Sequence, residues 1–198
     1  CDCNKMELRQ NHRSDETLFE FYTSLIRGGS FFETPLSEIL KYARAKFPRQ
    51  PGYPQWSLTI SNAQRRLINK KQGEATKPKD AVLIQATDGP LWLFKDLKLI
   101  GHLAGTQRGV INSGFYTVEA LEADAVVVRC EMSQKTLRLP IDFVKKSMRN
   151  CFALTQYACQ GLSLQGRVRI FVNHPRMDKR KLYVCSSRCT QASLLEIC

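Results

Sequence analysis

Between Val82 and about Val144 the chain breaks into short apolar runs: Val82–Ile84, Leu91–Phe94, Leu97–Ile100, Tyr116–Leu121, Ala125–Arg129 and Thr136–Leu139. Gly, Asp, Asn and Ser separate them, and "INSGFYTVEAL" carries a turn signal straight into a strand. Runs this short, each closed by turn formers, read as antiparallel strands of a small barrel. The flanking segments have the longer periodicities of helices alternating with strands. The chain is therefore expected to fold as one α/β domain, 1–81 plus 146–198, interrupted by a β module over 82–145. A chain of 198 residues can bury a core for one domain and such an insert. No internal repeat is evident.

In the first α/β piece, Leu18, Phe19, Phe21, Tyr22, Leu25 and Ile26 form a helical stripe from Asp15 to Arg27, with Ser14 as cap and Gly28-Gly29 as its end. Ser37 to Ala45 reads as a second short helix, stopped by the Pro48–Pro54 loop. Trp56 to Ile60 alternates like a strand. Asn62 can cap a third helix, Ala63 to Lys71, with Leu67 and Ile68 inward and Arg65, Arg66, Lys70 and Lys71 outward. In the last piece Val168 to Val172 reads as a strand, followed by a helix ending in an arginine. Met6 and Leu8 read as the approach to a further strand. The chain starts without Met, so a segment of a longer protein is expected.

Thirty basic against 18 acidic residues give a formal charge of +12, which favours an anionic partner. No apolar run has the length to span a bilayer and nothing resembles a signal peptide, so a membrane partner is not expected. The eight cysteines are scattered, with one CxC at the start and one CxxxC (Cys185, Cys189), not the paired CxxC units of a zinc site. They are expected to be reduced, partly buried thiols of an intracellular protein, nuclear or cytoplasmic.

Chemistry concentrates in three places. "LRQNHRSDE" puts Arg13 at a strand-to-helix junction, where a guanidinium can clamp a phosphate through two parallel bonds. "ALTQYACQGLSL" offers a hydroxyl (Thr155), an amide (Gln160) and a glycine (Gly161) that permits close backbone approach to phosphate oxygens. "LYVCSSRC" carries Arg188. Each alone also reads as ordinary structure: a solvated arginine beside a cap, a polar loop, an arginine on helix-terminal carbonyls. The basic face of the third helix can track a nucleic-acid backbone or simply be solvated. Trp56, Trp92, Tyr53 and Tyr157 are candidate stacking platforms, with Tyr157 favoured and Trp56 assigned to the core. No G-x-x-x-x-G-K-[ST] loop and no strand ending in Asp-Glu occurs, so the chain alone should not hydrolyse nucleotide.

Taken in order, "NHRS" (Asn11 to Ser14), "TISNAQRRLIN" (Thr59 to Asn69), "TQYACQG" (Thr155 to Gly161) and "YVCSSR" (Tyr183 to Arg188) resemble motifs of the second RecA-like domain of superfamily 1 DNA helicases, on the RecD-like side. A weaker similarity runs to helicase subunits of viral helicase–primase machinery. The resemblance implies an α/β fold with a RecA-like parallel sheet and an inserted SH3-like barrel. It implies ATP with Mg²⁺ as cofactor, the Mg²⁺ being held by a first RecA-like domain, and that domain and single-stranded DNA as partners. A primase is a further implied partner, and a 5′ to 3′ polarity follows at family level.

Residue by residue, Arg13 and Arg188 would be arginine fingers on the γ-phosphate, and Gln160 and Gly161 would line the nucleotide cleft. Thr155 and Asn62 would contact DNA phosphates, with Tyr157 and Arg65 on the same nucleic-acid side. The sequence departs from the pattern where Tyr157, Ala158 and Cys159 replace His, a Lys-like residue and Ser, and where Cys185-Ser186 replace Ala-Leu. Two other readings stand beside this one: a nucleic-acid-binding helicase remnant, which the sequence upstream of Cys1 would discriminate, and a protein-interaction module, for which DNA binding would be negligible and insensitive to salt.

Overall fold

The structure is a computed structural model and describes residues 13–102 and 106–198. In chain order the elements are α1 (Glu16–Thr23), α2 (Leu36–Lys46), β1 (Trp56–Thr59), α3 (Asn62–Thr76), β2 (Val82–Ala86), β3 (Gly89–Leu93), β4 (Lys98–Gly101), β5 (Thr106–Gln107) and β6 (Val110–Ile111). Then follow β7 (Phe115–Leu121), β8 (Ala125–Cys130), β9 (Thr136–Pro140), α4 (Ile141–Ser147), β10 (Met148–Asn150), β11 (Ala153–Thr155), β12 (Val168–Ile170), α5 (Lys179–Ser186), a 3₁₀ turn (Ala192–Leu194) and β13 (Leu195–Ile197). The expected strand approach at Met6 and Leu8, and Asn11 of the first motif, lie outside the described residues.

Two compact units result, one from residues up to Ile60 together with Cys159–Cys198, the other Ser61–Ala158. The motif-based division places the insert at 82–145, whereas the compact β unit also takes in α3, which packs on β3 and β11.

In the first unit β1, β12 and β13 form a parallel array, with Trp56 opposite Val168 and Leu58 opposite Ile170. Every residue of β1 is buried, Ser57 and Thr59 included, so the expected alternation at Trp56–Ile60 is corrected. Parallel strands are covered on both faces and lose the polar-out positions that alternation needs. β12 and β13 carry a buried charge pair in register, Arg169 opposite Glu196, with Nε to Oε2 at 2.6 Å. The same arginine donates to the Gln50 and Gly52 carbonyls at 2.8 and 3.0 Å, which fastens the proline-rich loop ahead of β1.

Two helix boundaries differ from the periodic reading. α1 is capped by Asp15, whose Oδ1 accepts from the Leu18 amide at 2.9 Å, while Ser14 bonds the Tyr22 hydroxyl instead. α1 also stops at Thr23, because the Thr23 and Ser24 hydroxyls bond back to the Phe19 and Phe21 carbonyls, and Gly28 turns left-handed only farther on. α5 is capped by Asp178, whose carboxylate accepts from the Lys181 amide at 2.7 Å, and ends at Ser186, two residues before Arg188.

The second unit contains a five-stranded antiparallel sheet of order β10-β4-β7-β8-β9, plus the hairpins β2-β3 and β5-β6. Leu91, Leu97, Leu99, Tyr116, Val118, Val126, Val128 and Leu139 form its core. All six apolar runs become strands. No helix among the described residues is long and apolar enough to cross a membrane.

The third helix corrects the sequence reading most sharply. Ser61, not Asn62, is the cap, accepting from the Gln64 amide at 3.2 Å. The helix runs on to Thr76, and its buried positions are Arg65, Asn69, Gln72 and Gly73, while Leu67 is half exposed. The inward stripe is polar. Helical spacing places these residues on one face, but no hydrophobic pattern announces it.

Candidate functional site

In the first unit the motif segments meet through backbone bonds. The Leu164 amide donates to the Arg188 carbonyl at 2.8 Å, and Leu164 and Cys189 form an isolated parallel bridge. This ties the loop carrying Gln160 and Gly161 to the segment after α5. Gly161 has φ +82, exposed and with nothing near the position a Cβ would take, so only glycine adopts this turn without strain. Gln160 beside it is exposed.

The Arg188 guanidinium is half-buried and held at every nitrogen. Nε donates to the Val184 carbonyl at 3.1 Å, Nη1 to the Leu162 carbonyl at 3.3 Å and Nη2 to Ser187 Oγ at 2.8 Å. All three acceptors are neutral, and no carboxylate among the described residues pairs with it. Burial, then the positive charge of Arg13, lowers its proton affinity below that of an ordinary arginine. Arg13 is itself exposed. The two guanidiniums are thus close enough to repel, an arrangement that an anion relieves.

Asp15 makes this convergence. Its amide donates to the Thr190 carbonyl at 3.1 Å and its Oδ2 accepts from the Ala192 amide at 2.5 Å. Sequence reasoning assigned the cap to Ser14 and missed this role, although an Asp directly ahead of an apolar stripe is a legible signal.

The substituted motif positions explain one another. Cys159 and Cys185 are both fully buried and hydrogen-bonded thiol to thiol; that bond, then burial, pushes the Cys185 thiol well up.

In the second unit Thr155 ends β11, and its hydroxyl accepts from the Ala158 amide at 3.3 Å. Tyr157 is 69% exposed. Trp56 of the first unit is buried with its Nε1 donating to the Gln165 carbonyl at 2.8 Å, a core residue as expected. Trp92 is half-buried, with the Lys77 ammonium 3.4 Å from its ring centre.

The outward placement of Arg65 is corrected. It is buried, with Nη1 and Nη2 on the Asp88 carboxylate at 2.5 and 2.6 Å and Nε donating to Asn62 Oδ1 at 3.2 Å. A guanidinium so engaged holds the β2-β3 turn and the start of α3, and leaves the exposed cationic face to Arg66 and Lys70. Asn69 meanwhile clamps backbone ahead of Thr155, donating to the Asn150 carbonyl at 3.0 Å and accepting from the Ala153 amide at 2.7 Å.

No family model matches the chain, and no curated protein matches it. Solved structures do. A crystal structure of Pif1 helicase from Bacteroides in complex with ADP-AlF3 and ssDNA is 17% identical with a TM-score of 0.68, over 97% of this chain and 51% of that one. A structure of two coordinating Pif1 helicases at forked dsDNA is 18% identical with a TM-score of 0.68, over 95% and 48%. Pif1 helicase from Candida albicans is 12% identical with a TM-score of 0.61, over 92% and 53%. The chain spans about half the length of these structures and shares its fold with that half.

Proposed function

We propose that the chain is the motor half of an ATP-dependent DNA helicase of superfamily 1, on its RecD-like side. It contributes two arginine fingers to an ATP site and a grip on single-stranded DNA, and the β-sheet of its second unit is an SH3-like barrel. The observation that carries the reading is the convergence of Arg13 and Arg188 beside Gly161 without a neutralising carboxylate on Arg188. The similarity in fold to Pif1 helicases solved with ADP-AlF3 and ssDNA supports it.

ATP, with Mg²⁺ held by a partner domain bearing the phosphate-cradling loop, would supply the phosphoryl group transferred to water. This chain's part is electrostatic. Arg188 is pre-positioned by its three neutral acceptors, so its charge points at the site with little reorganisation when negative charge builds on phosphoryl oxygens. Arg13 adds a second cation. The Gly161 turn allows backbone amides to approach phosphate oxygens closely. Thr155 and Tyr157, just upstream, would contact the single strand, a hydroxyl on a phosphate and an exposed ring on a base. Asn62 holds Arg65 and flanks the same face of α3.

The test uses the full-length protein that contains this chain. Arg188→Ala should lower single-strand-stimulated ATP turnover by about 10³-fold or more while ATP binding is retained. Turnover equal to wild type would refute the finger.

A further inference from the structure

A second cationic feature lies wholly within the second unit, in a cleft of about 20 Å³ lined by Arg66, Lys70, Asp88, Gly89, Arg149 and Asn150. Four cations gather around it (Arg65, Arg66, Lys70 and Arg149) against one carboxylate, Asp88. Both oxygens of that carboxylate are already occupied, Oδ2 by Arg65 and Oδ1 by Arg65 and, at 3.2 Å, by Arg66. Arg149 acts on that carboxylate only through its charge. Burial, then the charge of Arg65, pulls the Arg149 guanidinium below its ordinary proton affinity. Its Nη1 lies 3.2 Å from His102 Nδ1, and burial, then the charge of Arg149, keeps that ring below its ordinary pKa, so at neutral pH it is an uncharged partner.

Two buried polar atoms at the cleft have no partner at all: Arg149 Nε and Asn150 Oδ1. Asn150 is only 4% exposed, and its carboxamide oxygen is a buried acceptor without a bond. Such a group costs about 1–3 kcal/mol and calls for a ligand. A half-turn of the carboxamide presents NH₂ in place of the oxygen. The cleft has room for about one water-sized group. That excludes a base and a whole phosphomonoester, and suits a single oxygen.

We propose that this cleft is a subsite for one backbone phosphodiester of single-stranded nucleic acid. One non-bridging oxygen enters it and accepts from Arg149 Nε and the Asn150 amide, while the exposed Arg66 and Lys70 side chains close on the other oxygen. Buried Arg65 only positions the site, by occupying Asp88 so that the carboxylate does not repel the anion. The subsite rests on the reading of the chain as a single-strand binder, and deepens it.

The test is binding of a short labelled oligothymidylate to the full-length protein that contains this chain, over a range of salt. Arg66→Ala and Lys70→Ala, both at exposed positions, should each reduce the slope of log affinity against log salt by about 0.7, the signature of one lost phosphate contact on a single strand. The loss should be equal with an abasic oligonucleotide. The Asn150 side-chain amide resonances should shift on titration with either probe. Wild-type binding with unchanged slopes in both variants and a still Asn150 amide overturns the subsite alone. Absence of single-strand binding by the wild-type protein overturns the underlying reading and the subsite with it. A shift of the Asn150 amide by inorganic phosphate as large as that by the oligonucleotide assigns a free-anion site and also overturns the proposal.

Discussion

The backbone amide of Asp15 donates to the carbonyl of Thr190 at 3.1 Å, and this bond joins the two segments that carry Arg13 and Arg188. Arg13 stands two residues before the donor and Arg188 two residues before the acceptor. The Asp15 carboxylate doubles the tie, capping α1 through Leu18 and bonding the Ala192 amide. Two motifs far apart in sequence are thereby brought to one place by a helix cap.

Asp15→Ala should remove the cap and the Ala192 bond together. The expected loss is about 1–2 kcal/mol in urea unfolding, and Asp15→Asn, with a single acceptor oxygen, should recover the cap but not the Ala192 bond. A loss near zero in the alanine variant would contradict the double role.

Arg65→Ala leaves the Asp88 carboxylate buried and facing an empty space. Breaking one side of a buried ion pair costs about 3–5 kcal/mol, a large share of the stability of a domain this size. Chemical denaturation checks it, with the double variant Arg65→Met, Asp88→Leu expected to be markedly less destabilised. Equal losses in the single and double variants would show that the pair is not the source.

Acid should weaken the same contact. Burial by itself pushes the Asp88 carboxyl up, but hydrogen bonds and charge from Arg65, then Arg66, outweigh it and hold it below its ordinary 3.8. A depressed carboxylate contributes stability that is present above the unfolded value of 3.8 and lost as pH falls through the folded one. Between neutral pH and pH about 4 this contribution should stay flat, then decline below it. Asp88→Asn should flatten that decline; an identical acid limb in wild type and variant would count against it.

Gly73→Ala offers a gain. The glycine is inside α3 at ordinary helical φ, and an added Cβ would sit 3.5 Å from Asn150 Nδ2, 3.7 Å from Trp92 Cδ1 and 3.8 Å from Phe152 Cε2, all normal contacts. Helix propensity then decides the sign, and stability should rise by about 0.5–1 kcal/mol. A lower melting temperature would mean that the contact is tighter than it looks.

Six strands of the second unit were legible because their signal is local: apolar runs of strand length, each closed by turn formers such as Asp88-Gly89; the two- and three-residue strands β5, β6, β10 and β11 are too short to carry one. α3 was legible as a helix and illegible as a packed one. Its leucine at position 67 is half exposed, and its buried stripe is Arg65, Asn69, Gln72 and Gly73. Burial of those residues is made possible by partners distant in the chain, Asp88 for Arg65 and the Asn150 and Ala153 backbone for Asn69. Periodicity counts apolar residues and cannot see such partners. The same reason hid the Arg149–Asn150 cleft.

What sequence alone determined was the inventory: an α/β frame, a run of short strands, and the three polar segments that carry Arg13, Gln160, Gly161 and Arg188. Those follow from local propensity, turn chemistry and motif spacing, which need no third dimension. Tertiary structure decided which arginine is buried and which is offered to solvent, and it joined Arg13 to Arg188 through Asp15. It also matched the substituted Cys159 with the substituted Cys185. These are pairings across many residues, and a charge or a thiol acquires its role only from the partner that packing brings to it.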